Sequence, residues 1–140
     1  METNINIIIS EYSEYTGPRY CDQGDKSGED FYHKELNSAM FNAINQDTKL
    51  IVNLDGTAGY LSSFLDESFG NLVFDFTLEI VRKRVKIISF EEPDWIIMIE
   101  NEVYEDWEER RINNDIPKKT ESHKEWYRWV NNKLSKRVWI

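Results

Sequence analysis

A chain of 140 residues, 40% hydrophobic and 14% aromatic, suits one folded domain rather than two and excludes wholesale disorder. Its lone cysteine, Cys21, excludes an internal disulfide; with no signal-peptide pattern in residues 1–4 and no apolar run near the roughly 20 residues of a bilayer span, the sequence reads as soluble and cytoplasmic. The net charge of −9 is uneven: residues 118–140 carry +5, leaving −14 on residues 1–117, a balance that argues against direct nucleic-acid binding.

In chain order, NINIIIS (4–10) predicts a strand, with 11–15 continuing it or pairing with it. Thr16-Gly17-Pro18 reads as a turn and 22–28 as a polar loop, closed by a Ser27–Asp30 capping pattern. A helix follows to about Ile44 and buries Phe31, Leu36, Met40, Phe41 and Ile44. The short, largely β-branched run Leu50-Ile51-Val52 predicts a buried central strand over 49–53, broken by Asp55-Gly56 and Gly59. The next helix runs from Ser63, capped by Ser63 with Asp66, to about Phe76; Gly70 inside it costs up to about 1 kcal/mol against alanine unless packing requires it.

Residues 78–84 read as a helical turn and 85–90 as a second interior strand, stopped by Glu91-Glu92-Pro93. From Asp94 the period becomes helical, with Ile96, Ile99, Val103 and Trp107 on one face. After a break at 113–117, Trp126, Trp129, Val130 and Leu134 fit the stripe of a last helix over 122–134. Strands alternating with helices predict an α/β layer structure.

The stretch 49–72, KLIVNLDGTAGYLSSFLDESFGNL, together with the upstream GPRY and SGEDF, resembles the bacterial STAS-like domains of unknown function, relatives of the STAS anti-sigma-factor antagonists. The resemblance covers about residues 5–90. It implies an α/β fold with a mixed sheet packed by helices over residues 1–112, to which 113–140 would add a linker and a C-terminal helix. It also implies a regulatory protein-binding module without catalytic activity, partnered by an ATP-binding protein of the histidine-kinase type. In such antagonists a serine at the start of this helix is phosphorylated and the phosphate abolishes binding. By position Ser63 is the first acceptor and Ser62 the second, with Gly59, Tyr60, Phe64, Asp66, Glu67 and Arg19 as partner-binding residues. Two departures stand out: Leu61 replaces the usual acidic residue and Phe64 the usual small glycine. The simpler reading makes Ser62 and Ser63 an N-cap and its neighbour.

Catalytic motifs are missing. IVNLDGT resembles the strand-end motif of haloacid-dehalogenase-type phosphatases, but Asn53 stands where the nucleophilic aspartate belongs, so Asp55 reads as a turn residue. No paired-cysteine spacing marks zinc, no cofactor fingerprint is present, His33 reads as solvated, and Cys21 lacks an adjacent base. Among 26 carboxylates, an acid/base dyad is less economical than surface charge, so no enzyme is expected; a hydrolase using unrecognised carboxylates is the weakest reading. Arg19 reads as a structural ion pair ahead of an anion contact. Trp95, Trp107, Trp126 and Trp129 read as core, and Trp139 as the exposed one. The basic tail reads as a helix face docked on the acidic body. The alternative function is an acidic mimic of nucleic acid, from a mobile element, that fills a basic groove of a nucleic-acid-handling protein. Strand edges and the tryptophan-rich tail leave room for a homodimer.

Overall fold

The computed structural model describes residues 3–137. Three short strands, β1 (Ile5–Ile8), β2 (Leu50–Asn53) and β3 (Val85–Ile88), form one sheet in the order β1-β2-β3. Both pairings are parallel, so this sheet is not mixed as the resemblance implied; each connection passes through helices, which is the length a parallel crossover needs. The strand over 85–90 is likewise an edge strand rather than an interior one.

Between β1 and β2 come α1 (Ile9–Tyr12), a single 3-10 turn at Cys21–Gln23, and one helical rod made of α2 (Gly28–Phe31), a π-turn (Tyr32–Leu36) and α3 (Asn37–Asn45). α1 occupies the segment expected to prolong or pair with the first strand. Between β2 and β3 lie α4 (Ser62–Phe76) and α5 (Leu78–Arg84). A second rod follows β3: α6 (Asp94–Met98), a π-turn (Ile99–Val103) and α7 (Tyr104–Ile112). Ser27 caps α2 as its spacing predicts, its hydroxyl accepting the Asp30 N–H at 3.0 Å.

The register places Ile5, Leu50 and Val85 in one row and Ile7, Val52 and Ile87 in another, and this face meets the core. The alternate rows, Asn6–Ile51–Lys86 and Ile8–Asn53–Ile88, stay exposed or half-buried, so the helices cover one face of the sheet. α4 is the centre of the molecule. From Phe64 to Phe76 every residue but Asp66 is buried, between α2 on one side and α7 on another. A helix enclosed all round needs close contacts, and two glycines supply them. A Cβ on Gly70 would lie 2.1 Å from the Trp107 ring, and one on Gly28 would lie 2.6 Å from the Phe64 carbonyl oxygen.

The C-terminal segment overturns the helical extension. It forms a hairpin, β4 (Trp126–Val130) against β5 (Lys133–Arg137), antiparallel with Val130 opposite Lys133. Asn131 and Asn132 make the two-residue turn at φ +53° and +63°, the left-handed pair that a hairpin of this twist demands and that asparagine tolerates. Trp126, Trp129 and Leu134 satisfied a helical spacing, but tertiary contacts select the strand. Phe41 stacks on Tyr127 at 3.8 Å, and Asn37 takes the place of a neighbouring strand, accepting the Tyr127 N–H at 2.8 Å and donating to the Tyr127 carbonyl at 3.0 Å. From the basic segment Arg128 pairs with Asp75 and Lys119 reaches Asn71, but from a hairpin and the stretch before it rather than from the expected helix face. Trp139 lies outside the described residues. No helix among the described residues is long and apolar enough to cross a membrane.

Candidate functional site

The loops that follow the three parallel strands meet at one end of the sheet, where the serine pair also lies. Asn53 accepts the Asp55 N–H at 2.9 Å, and the Asp55 carboxylate in turn accepts the N–H groups of Phe90 and Glu91 at 3.1 and 3.0 Å. Glu91 returns the contact by accepting the Gly56 N–H at 2.7 Å. Asp55 is therefore a turn residue that ties the β2 loop to the β3 loop, as its sequence context predicts. The Tyr60 hydroxyl donates to the Leu54 carbonyl at 2.6 Å and Thr16 donates to the Gly59 carbonyl at 3.0 Å, which fixes the loop leading into α4. Gly59 takes φ +139° with nothing near its missing Cβ, so the glycine serves the backbone rather than a close contact.

α4 begins one residue earlier than predicted. Ser62 is its first residue and the N-cap is Leu61, which offers no side-chain acceptor, so the Ser63–Asp66 capping pair does not form. The reason lies in Asp66, whose carboxylate is held by two groups from elsewhere. It pairs with Arg19 at 2.5 Å and accepts the Trp107 indole N–H at 3.1 Å. Ser62 is exposed and Ser63 half-buried. Around them Leu61 is 57% and Tyr15 72% exposed, and on the β3 loop Phe90 is 86% exposed. Beside Ser62 a concavity of about 320 Å3 is lined by Arg19, Asp66, Met98, Glu102 and Asp106.

Of the residues expected to face a partner, Gly59, Tyr60, Asp66 and Arg19 lie at this end, Tyr60 half-buried and the last two bound to each other. Two do not face outward. Phe64 is fully buried, stacked with Phe31 at 5.6 Å, and Glu67 is 1% exposed. Both point inward because the first turn of α4 packs on α2, with Gly28 allowing the approach. Arg19 has the structural role read for it: besides Asp66 it reaches Glu67 at 3.3 Å. Burial raises the Glu67 carboxyl, against the lowering effect of Asn71, Lys119 and Arg19.

What the sequence concealed is a buried polar stripe along α4 and the segment that caps it. Glu67, Asn71 and Asp75 recur every four residues on one side of the helix. Lys119 reaches Asn71 at 3.4 Å, and burial lowers its ammonium from the usual lysine range. Arg128 pairs with Asp75 at 3.0 Å and Tyr32 donates its hydroxyl to the same carboxylate at 2.5 Å. Burial lifts Asp75 to about 6 even so. No local motif announces these partners, which come from residues 43 to 53 positions away on the chain.

A second cluster lies at the start of α2. His123 Nε2 meets Glu29 at 2.6 Å, and both side chains are buried. Burial would raise the Glu29 carboxyl, but the donors from His123, Thr120 and the backbone of Cys21 and Thr120 hold it well below the usual range. His33 is not solvated: it stacks on His123 at 3.9 Å, and neither of its buried ring nitrogens has a hydrogen-bond partner. Burial lowers His33 to about 2, so it stays a neutral ring. Cys21 accepts a hydrogen bond from the Ser27 hydroxyl at 3.4 Å, and burial first, then neighbouring carboxylates, push its thiol up to about 12.

No curated protein and no solved structure matches the chain. A family model does match, over residues 27–95, which begins at the Ser27 cap, takes in β2, α4, α5 and β3, and ends in the first turn of α6. Over that stretch the chain is similar to the family described as the STAS-like domain of unknown function, DUF4325.

Proposed function

We propose that this chain is a non-catalytic regulatory module that binds a protein partner through the end of the fold where α4 begins. The partner is an ATP-binding protein of the histidine-kinase type, and phosphorylation of Ser62 or Ser63 switches the contact. One observation carries the reading: the Ser62 hydroxyl is exposed at the first position of α4, beside the exposed apolar side chains of Leu61 and Tyr15. Ser62 takes precedence over Ser63 here because a kinase needs to reach the oxygen, and Ser63 is half-covered.

The electrostatics support a switch. A phosphate adds about −1.5 to −2 charges, which the N-terminus of a 15-residue helix accommodates. It would stand next to Glu102 and Asp106, and the nearby cation, Arg19, is already shared by Asp66 and Glu67. Modification therefore places strong negative charge on a surface that is otherwise apolar around Leu61 and Tyr15, and a partner fitted to the unmodified surface loses its desolvated contacts.

The test is a binding series against a purified ATP-binding protein of the histidine-kinase type, with wild type, Ser62→Ala, Ser62→Asp, Ser63→Asp and Leu61→Lys. Ser62→Ala should bind as wild type, and Ser62→Asp and Leu61→Lys at least about tenfold more weakly, the roughly 1.4 kcal/mol of one decade. Equal affinities across the series remove the switch. A binding constant that collapses between low and high salt, with Leu61→Lys silent, would instead favour the acidic nucleic-acid mimic.

A further inference from the structure

Cys21, Glu29 and His123 come from three separate segments: the 3-10 turn, the first turn of α2, and the strand-free stretch before β4. Their donor atoms, one sulfur, one carboxylate oxygen and one imidazole nitrogen, all lie within 4.8 Å of one another. Nothing in the local sequence brings them together, since Glu29 and His123 stand 94 positions apart.

The groups around them are arranged as supports for ligands. Glu29 is held by donors other than His123: the Cys21 N–H at 3.0 Å, the Thr120 N–H at 2.9 Å and the Thr120 hydroxyl at 2.6 Å. Those bonds fix the carboxylate's orientation whatever occupies its remaining lone pairs. The His123 ring is clamped by the stacked His33 ring, 12° from parallel. Metal-binding carboxylates and imidazoles are oriented in this way by an outer layer of contacts. An ion pair between His123 and Glu29 would need no thiol, yet the Cys21 sulfur is placed beside both.

We infer that Cys21 Sγ, Glu29 and His123 Nε2 form a binding site for a zinc ion. Thiolate, imidazole and carboxylate together are a zinc donor set, and the ion displaces to solvent both the proton shared between His123 and Glu29 and the thiol proton of Cys21. Three protein ligands leave a fourth position. Cys21 also lines an open concavity of about 370 Å3 with Asp30 and Glu121, so that position is accessible to water or to a carboxylate. Asp30 and Glu121 have oxygens within the same 4.8 Å reach of the sulfur. Because His123 belongs to the segment that leads into the hairpin, the ion would also fasten that segment to α2.

The experiment uses the full chain, freed of any affinity tag, reduced and stripped with a chelator, then titrated with cobalt(II) and afterwards with zinc. Uptake of one ion per chain with a thiolate-to-cobalt charge-transfer absorption, bleached by zinc, is the expected result. Cys21→Ser should abolish the absorption and weaken zinc binding at least tenfold. Thr120→Val, which keeps all three ligands but removes a support, should weaken it about tenfold. His33→Phe keeps the stack and should leave the absorption intact. If His123→Ala fails to fold, Cys21→Ser still decides the matter, because serine keeps the small polar side chain that meets the Ser27 hydroxyl. No saturable uptake, or uptake that Cys21→Ser leaves unchanged, overturns the site and reduces the cluster to an ion pair with a bystander thiol. Neither result bears on the Ser62 switch, which is read by partner binding alone.

Discussion

At the scale of single residues, close approach outweighs intrinsic preference. Gly70 sits in mid-helix, where alanine would normally help, but the Trp107 ring occupies the space of its missing side chain. Gly70→Ala should destabilise the protein by about 1–3 kcal/mol through overpacking, measured by chemical denaturation, although the same change in an exposed helix would stabilise by up to about 1 kcal/mol. Asn37 shows the polar counterpart. Its amide satisfies both the N–H and the carbonyl of Tyr127 and also donates to the Tyr32 hydroxyl at 2.9 Å. Asn37→Ala removes these three hydrogen bonds at once, and the expected loss is about 1–3 kcal/mol. A change within about 0.5 kcal/mol would mean that water replaces the amide there.

At the scale of elements, the hairpin is the clearest case of two periodicities in competition. The spacing of Trp126, Trp129, Val130 and Leu134 fits a helix, whereas WYRWV-NN-KLSKR fits two strands about a two-residue turn. The asparagine pair was the legible signal. It decides for the strands because both positions require positive φ, which a helix interior excludes. Asn131→Val puts a β-branched residue in that conformation and should cost about 1–2 kcal/mol. Asn132→Gly should be neutral or mildly stabilising. The near-ultraviolet circular dichroism of Trp126 and Trp129, followed through thermal unfolding, reports both. Stability equal to wild type in Asn131→Val would show that the hairpin contributes little to the fold. α4 teaches a related lesson. Its serines look like a cap, but the capping partner, Asp66, is taken by Arg19 and Trp107, and the helix starts from Leu61 instead.

At the scale of the whole molecule, the C-terminal segment is fastened to α2 and α4 by buried charged groups, and these give stability a pH dependence of two signs. Asp75 is raised from 3.8 to about 6, so the folded form holds a proton that the unfolded chain releases. Its contribution is full below about pH 4 and falls as the pH rises toward 6. Glu29 is held low, so its contribution is present above its ordinary value of 4.5 and is lost as the pH falls below it. Asp75→Asn removes the first effect. It lowers stability overall by leaving Arg128 without its counter-charge, but the unfolding free energy should lose its decline between pH 4 and 6 relative to wild type. Parallel pH profiles for the two proteins would refute this assignment. In Glu29→Gln the loss of stability below pH 4.5 should be smaller than in wild type.

Much of the chain before residue 113 could be read directly because its signals are local. A run such as Leu50-Ile51-Val52 makes a buried strand by steric preference, Ser27 caps a helix through a bond three residues long, and the stripe of Ile99, Val103 and Trp107 buries itself by periodicity. The serine pair at the head of α4 was likewise visible in sequence. Its exposure, the inward turn of Phe64 and Glu67, and the meeting of Cys21 with Glu29 and His123 were not. The inward turn depends on how α2 packs against α4, and the meeting of the three side chains on how the chain beyond residue 112 returns across α2. Local sequence fixes which backbone conformations are cheap; only the packed molecule determines which distant charges share a site once water has been removed from between them.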